Sequence, residues 1–181
     1  MKIDFNGFAK ELENNSIEMA ELPELLVRTL AEKGLKIATA ESCTGGLISK
    51  MITDVSGASA VFDCGVCSYA NEIKEKVLGV SADDLKAKGA VSEEVAVAMA
   101  KGVRELSGAD IGISTTGIAG PTGGSAGKPV GTVWIGISTM DKNYAILANL
   151  ATKNATRDKI RQSAALFAIY CGFKAAKAEN Y

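Results

Sequence analysis

The spacing of apolar positions changes along the chain, and the changes mark its elements. In LPELLVRTLAEK (22–33), Leu22, Leu25, Leu26, Leu30 and Ala31 recur at helical spacing, and Gly34 supplies a stop. LKIATA (35–40) reads as a buried strand, and TGGLISKMITD (44–54) as a helix entered through a tight turn. SAVFDCGVCSY (59–69) predicts a strand, with Gly65 marking a bulge. Asn71 is placed to cap a short helix that closes at Gly79, and Ser81 opens another. Ser92 begins the helix SEEVAVAMAKGVREL, whose first turn is acidic. A strand at 109–117 leads into the glycine-rich loop GIAGPTGGSAGKP. Strands at 131–139 and 143–151 then flank the turn MDKN as a hairpin, and a long helix runs from Thr156 to Ala176. Early alternation of strands and helices, followed by clustered strands, predicts an α/β fold: a mixed sheet with helices on both faces. Residues 1–20 are polar and mixed and read as an N-terminal helical extension, which leaves 21–181 as one domain.

Composition narrows the function. A length of 181 residues suits a single hydrophobic core. Lys and Arg number 20 against 21 Asp and Glu, a net charge of −1, so no nucleic acid or acidic membrane surface is the expected partner. No apolar run approaches a membrane span, and the N-terminus carries no secretory core. The expected location is therefore the cytoplasm, with Cys43, Cys64, Cys67 and Cys171 as reduced thiols. The chain contains no histidine. That count excludes Ser-His-Asp and Cys-His catalysis and leaves Lys, Tyr, Asp, Glu or water as the base of any reaction.

Four segments carry candidate chemistry. In AESCTGG (40–46), Ser42 follows a buried strand at a turn, where open α/β sheets place ligands. The N–H groups of Cys43, Thr44, Gly45 and Gly46 are candidate oxyanion donors. The plain alternative is that Ser42 or Thr44 only caps the next helix, and the local pattern by itself favours that. Cys43 is a rival nucleophile with no histidine to activate it. In SYANEIK (68–74), Lys74 falls near a helix N-terminus, where the macrodipole and burial would both favour a neutral amine; a solvated surface lysine is the commoner meaning of such a pattern. The loop after STTG has neither a G-x-x-x-x-G-K-[ST] nor a G-x-G-x-x-G fingerprint, and it suits anion binding or a structural crossover equally. In TRDKIRQ (156–162), Arg157 and Arg161 share one face of a helix start, as a phosphate grip or a solvated face. Cys64 and Cys67, three apart on a strand, point to opposite faces and make a poor metal or redox pair.

Taken together, TAESCTGG, ITDVSGASAVFDCGVCSYANEIK, GAVSEEVA, TTGIAGPTGG, KPVGTVWIGI and TRDKIRQSA resemble the CinA C-terminal domain family from about Leu22 to the last helix. The characterised members of that family are nicotinamide mononucleotide amidases. The resemblance implies a three-layer α/β/α sandwich and hydrolysis of a carboxamide with release of ammonia, with neither cofactor nor metal. Ser42 matches the family's nucleophile, and Tyr69 and Lys74 match its activating partners. Thr116, beside Gly117, matches a pocket threonine. Arg157 matches a substrate-binding arginine, with Arg161 as a second candidate. The last helix opens Ala-Thr-Arg where many relatives have a Gly-Asp-Arg-like pattern. The expected partner is therefore a small pyridine nucleotide, and a homo-oligomer is the expected assembly. The alternative is a non-catalytic, nucleotide-binding or regulatory member of the same family.

Overall fold

A computed structural model describes residues 2–152 and 155–178. Six strands form one mixed sheet in the order β1-β6-β5-β4-β2-β3. They are β1 (Lys2–Asp4), β2 (Ile37–Glu41), β3 (Phe62–Cys67), β4 (Ile111–Gly117), β5 (Thr132–Ser138) and β6 (Asn143–Asn149). β5 runs antiparallel to both neighbours, and every other pairing is parallel. Helices α1 (Phe5–Asn14), α2 (Leu22–Lys33), α3 (Leu47–Thr53) and α7 (Arg157–Ala176) share one hydrophobic cluster with the sheet. Helix α6 (Glu93–Ser107), with α4 (Asn71–Leu78) and α5 (Ala82–Lys88) beside it, belongs to the layer on the other face. The result is the expected α/β/α sandwich.

Winding fixes where a site can lie. From β2 the chain crosses through α3 to β3, then returns through α4, α5 and α6 on the opposite face to β4, on the other side of β2. The winding therefore reverses between β2 and β4, and the carboxyl ends of two such strands are where open α/β sheets place their ligands.

Close packing of α6 on the sheet depends on missing side chains. A Cβ at Gly112 of β4 would overlap the Ala100 carbonyl of α6, and one at Gly136 of β5 would overlap that of Ala96. Gly102 of α6 meets the Leu78 carbonyl in the same way. These collisions involve backbone, which cannot rotate aside.

The sequence pattern misplaces several details. The first twenty residues contribute an edge strand as well as a helix: β1 pairs with β6, and Asp4 caps α1 by accepting from the Gly7 N–H at 2.8 Å. Phe8 and Leu12 of α1 are buried, with Phe8 tilted against Phe167 at 4.8 Å between ring centroids. In α2, Val27 is buried and Ala31 exposed, because the buried stripe follows 22, 26, 27 and 30. Strand β3 is shorter than expected, since Ala58–Ala60 make a 3-10 turn. The irregularity of β3 falls between the partners of Ile37 and Ala38, and Gly65 pairs regularly with Thr39. Gly65 instead leaves room for Ser49 Oγ, which a Cβ would strike. Among the described residues, no helix is long and apolar enough to cross a membrane.

Gly136→Ala should lower unfolding stability by about 3 kcal/mol, at the upper end of ordinary overpacking costs because the obstacle is a backbone carbonyl. Urea unfolding followed by circular dichroism measures this, and a loss under about 1 kcal/mol would contradict the packing described.

Candidate active site

Strand β2 ends at Glu41, and the next five residues form the turn from which α3 departs. The helix was expected from residue 44 but starts at Leu47. Gly45 (φ 62°) and Gly46 (φ 92°) hold left-handed conformations that side-chain-bearing residues rarely adopt, and they keep the turn out of the helix. The cap of α3 is neither Ser42 nor Thr44. The Glu41 carboxylate reaches past the turn to accept from the N–H groups of Ile48 (3.0 Å) and Ser49 (2.8 Å) and from Ser49 Oγ (2.7 Å). Glu41 is only 1% exposed, so its charge rests on these bonds and on the positive end of the helix. Sequence reasoning missed it; an acid at a strand end, six residues before a helix, was the available signal.

With α3 capped from elsewhere, the turn's polar groups are left for other work. The Ser42 N–H donates to the Thr115 carbonyl at 2.9 Å, which ties the turn to β4. The half-buried Ser42 hydroxyl has no protein hydrogen-bond partner among the described residues. Nor do the N–H groups of Cys43, Thr44, Gly45 and Gly46 donate to another residue there. Thr44 Oγ1 is committed to Thr115 Oγ1 at 2.7 Å, and both residues are fully buried. Burial pushes the Cys43 thiol up to about 12, helped by the nearby Glu41 carboxylate and partly opposed by hydrogen bonding and Arg161. Cys43 is therefore a protonated thiol at neutral pH and a poor nucleophile.

Lys74 is the departure from surface chemistry. Ala70 caps α4, with Asn71 as its first residue, so Lys74 is the fourth helical residue, one place further in than Asn71 capping would put it. Its side chain is 1% exposed and makes no ion pair among the described residues. Nζ donates to the carbonyls of Ser68 (2.7 Å) and Tyr69 (3.1 Å), just past the end of β3. Desolvation holds its pKa below the usual ammonium value, against smaller opposing effects of Cys43, Cys67 and Glu72. A neutral amine has two hydrogens and one lone pair, so two carbonyls use both hydrogens and leave the lone pair free. The Ser68 N–H donates to the Glu41 carbonyl at 2.9 Å. Ser42 thus follows the end of β2, and the Lys74 amine is tied to the chain just past the end of the adjacent β3, at the sheet's carboxyl edge. Ser68 Oγ is fully buried there without a partner among the described residues.

The other expected residues surround this corner unequally. Tyr69 is 64% exposed, and its hydroxyl accepts from Arg157 Nη2 at 3.0 Å. Arg157 Nη1 donates to the Gly120 carbonyl at 2.7 Å, which joins the start of α7 to the glycine-rich loop. Arg161 turns to the Ser42 turn, donating from Nε to the Cys43 carbonyl (3.3 Å) and from Nη2 to the Thr44 carbonyl (2.6 Å). Thr116 is buried, its hydroxyl donating to the Ala90 carbonyl at 2.7 Å, while the adjacent Thr115 faces Thr44 by strand alternation. A Cβ at Gly117 would come within 2.8 Å of Val133, so this glycine serves strand packing. Among the described residues, no three His, Cys, Asp or Glu side chains are grouped to hold a metal. A groove of about 760 Å³ lies between α2 and the loop after α3, lined by Val27, Arg28, Met51 and Ser56 among others. It shares no residue with the Ser42 corner.

Fold and site together define a doubly wound α/β protein with a histidine-free serine and lysine at its switch point. The chain belongs to the CinA C-terminal domain family, whose model matches residues 19–174. It is 51% identical over 153 residues to a putative competence-damage inducible protein of Caldanaerobacter subterraneus, an alignment covering 84% of this chain and 36% of that protein. It is 60% identical over 131 residues to a CinA-like protein of Chlorobium limicola, covering 72% and 30% respectively. The chain therefore spans about a third of the length of these relatives. Among solved structures, a CinA superfamily protein from Klebsiella pneumoniae superposes with a TM-score of 0.83 at 32% identity, over 89% of this chain and 99% of that one. A competence/damage inducible protein from Agrobacterium tumefaciens gives 0.83 at 36% identity, over 88% and 95%.

Glu41→Ala should cost roughly 2–3 kcal/mol in urea unfolding, because it strands two helix N–H groups and a hydroxyl. Ser42→Ala should stay within about 0.5 kcal/mol of wild type, since the lost hydroxyl has no partner. A reversed order of the two losses would show that the cap lies elsewhere.

Proposed function

We propose that this protein is an amidohydrolase that cleaves the carboxamide of nicotinamide mononucleotide to nicotinic acid mononucleotide and ammonia. The observation that carries the reading is the buried Lys74 amine, both of whose neutral-state hydrogens are taken by carbonyls just past β3, the strand that adjoins the one Ser42 follows. In a chain without histidine, that amine is the group suited to take a proton from Ser42.

The mechanism follows from these groups. The neutral Lys74 amine accepts the Ser42 proton. Ser42 Oγ attacks the carboxamide carbon, and N–H groups of the Cys43–Gly46 turn receive the developing oxyanion. The Lys74 ammonium returns the proton to the leaving nitrogen, the C–N bond breaks and ammonia departs. Water, deprotonated by the same amine, then hydrolyses the acyl-enzyme and releases the acid. The substrate's pyridinium makes the carboxamide carbon more electrophilic, and its positive charge further disfavours the ammonium form of Lys74. Arg157, on the exposed rim with Tyr69 and the glycine-rich loop, is suited to the 5′-phosphate. Thr116 supports the pocket by holding the Ala90 carbonyl. The enzyme is expected to act as a homo-oligomer in the cytoplasm, without cofactor.

Ser42→Ala and Lys74→Met should each reduce ammonia release at least about 1,000-fold while leaving circular dichroism unchanged, as removal of a nucleophile or its base does. Full activity in the Ser42 variant would overturn the mechanism, and affinity without turnover in wild type would mark a binding module instead.

Because the base must be neutral, kcat/KM should rise with pH through a single protonation whose midpoint lies below the ordinary lysine value. The depressed Lys74 pKa moves that limb toward neutrality. A pH–rate profile flat from pH 5 to 10, with Lys74 intact, would exclude it.

Tyr69→Phe should raise KM for the mononucleotide about 3- to 10-fold through loss of the Arg157 contact, with a smaller change in kcat. Steady-state kinetics decides; a drop confined to kcat would instead favour a proton relay through this hydroxyl.

A further inference from the structure

We infer that Arg161 is a positioning residue that builds the oxyanion site, rather than a ligand of the substrate phosphate; the inference rests on the amidase reading above. Its guanidinium spans two successive peptide carbonyls, those of Cys43 and Thr44. A trans peptide is planar, so each carbonyl points opposite to the N–H of the next residue. Holding the Cys43 carbonyl therefore turns the Thr44 N–H away from Arg161, and holding the Thr44 carbonyl does the same for the Gly45 N–H. Neither N–H donates to another residue among the described residues.

The turn needs such a clamp. Gly45 and Gly46 are both left-handed, and Gly45 is exposed. Two consecutive glycines give the chain freedom to flip these peptide planes. The α3 cap does not restrain them, because Glu41 binds Ile48 and Ser49 beyond the turn. What fixes the turn is the Ser42 N–H on Thr115, the Thr44 hydroxyl on Thr115, the Gly46 carbonyl on the Lys50 N–H at its helix end, and Arg161. Among the described residues, only Arg161 grips the two carbonyls that set the directions of the Thr44 and Gly45 donors. Gly45 also lets it approach, since a Cβ there would sit 3.4 Å from Nη2. Lysine offers a compact point charge in place of the planar fork and cannot bridge both carbonyls in this geometry.

The test measures ammonia release from nicotinamide mononucleotide by wild type, Arg161→Gln and Arg161→Lys, with thermal melts and hydrogen exchange of the 42–47 segment. Both variants should lose kcat, about 100-fold for glutamine and less for lysine, in line with loss of an oxyanion donor. KM should stay within about threefold, and preference over unphosphorylated nicotinamide riboside should be kept. Exchange should rise in the 42–47 segment and not elsewhere. A loss carried by KM together with that preference would place Arg161 on the phosphate and overturn the inference, as would unchanged kcat. If the glutamine variant unfolds, the lysine variant decides by the same split. Wild type that releases no ammonia overturns the amidase reading and this inference together; active wild type beside a fully active Arg161 variant overturns this one alone.

Discussion

An amine buried without a carboxylate to balance it is the constraint to which this corner of the structure answers. A lysine removed from water carries its charge at high cost, and the two carbonyls that receive the Lys74 Nζ hydrogens compensate only in part. Proton loss relieves the cost. The surroundings are built to that end: Ser68 and Tyr69 present backbone oxygen, and no acid forms an ion pair with Nζ among the described residues. A partnered lysine would be easier to bury but would stay protonated, since an ion pair would hold its proton. The arrangement makes sense where a neutral amine is wanted at a pH at which free lysine is charged.

The sheet supplies what the side chains alone do not. Parallel β2, β3 and β4 bring their carboxyl ends to one edge, and the winding reverses between β2 and β4. Ser42 leaves β2, Lys74 is anchored to the end of β3, and Thr115 ends the β4 contact to the turn. The Ser42 turn and Thr115, far apart in sequence, meet through adjacent strand ends. The glycines of β4 and β5 let α6 lie directly on this sheet, so packing on the far face also sets the site.

The chain pattern reveals the helices and central strands because burial imposes its period on them. Serines at 81 and 92 announce caps that the structure contains, accepting from Asp84 and Val95. The failures have physical causes. β1 has three residues, too few to display alternation, and exists because β6 offers an open edge. The α3 start is obscured because its cap comes from Glu41, seven residues before the nearest N–H it binds. Lys74 looks like a surface residue in NEIKEKVLG, since burial of a lysine depends on the neighbouring strand and not on its own helix. Family resemblance supplied its importance; local spacing did not. Arg161 was visible as a cation on one helix face with Arg157, but its attachment to carbonyls across the fold has no signature in sequence.

The choice between the two adjacent nucleophile candidates also follows from burial. Cys43 carries the intrinsically better nucleophile, yet its thiol is enclosed, and the cost of a buried anion raises its pKa beyond use at neutral pH. Ser42, one residue earlier, sits half-exposed on the open side of the same turn and keeps its hydroxyl unengaged. A serine does not need a standing negative charge; it needs a base at the moment of attack. In the proposed reaction the buried Lys74 amine, whose pKa burial lowers, meets that need; it would do little for a thiol already enclosed. The turn therefore distributes its roles by exposure: cysteine packs, threonine ties β4, glycines free the backbone donors, and in the proposed reaction serine meets the incoming carboxamide.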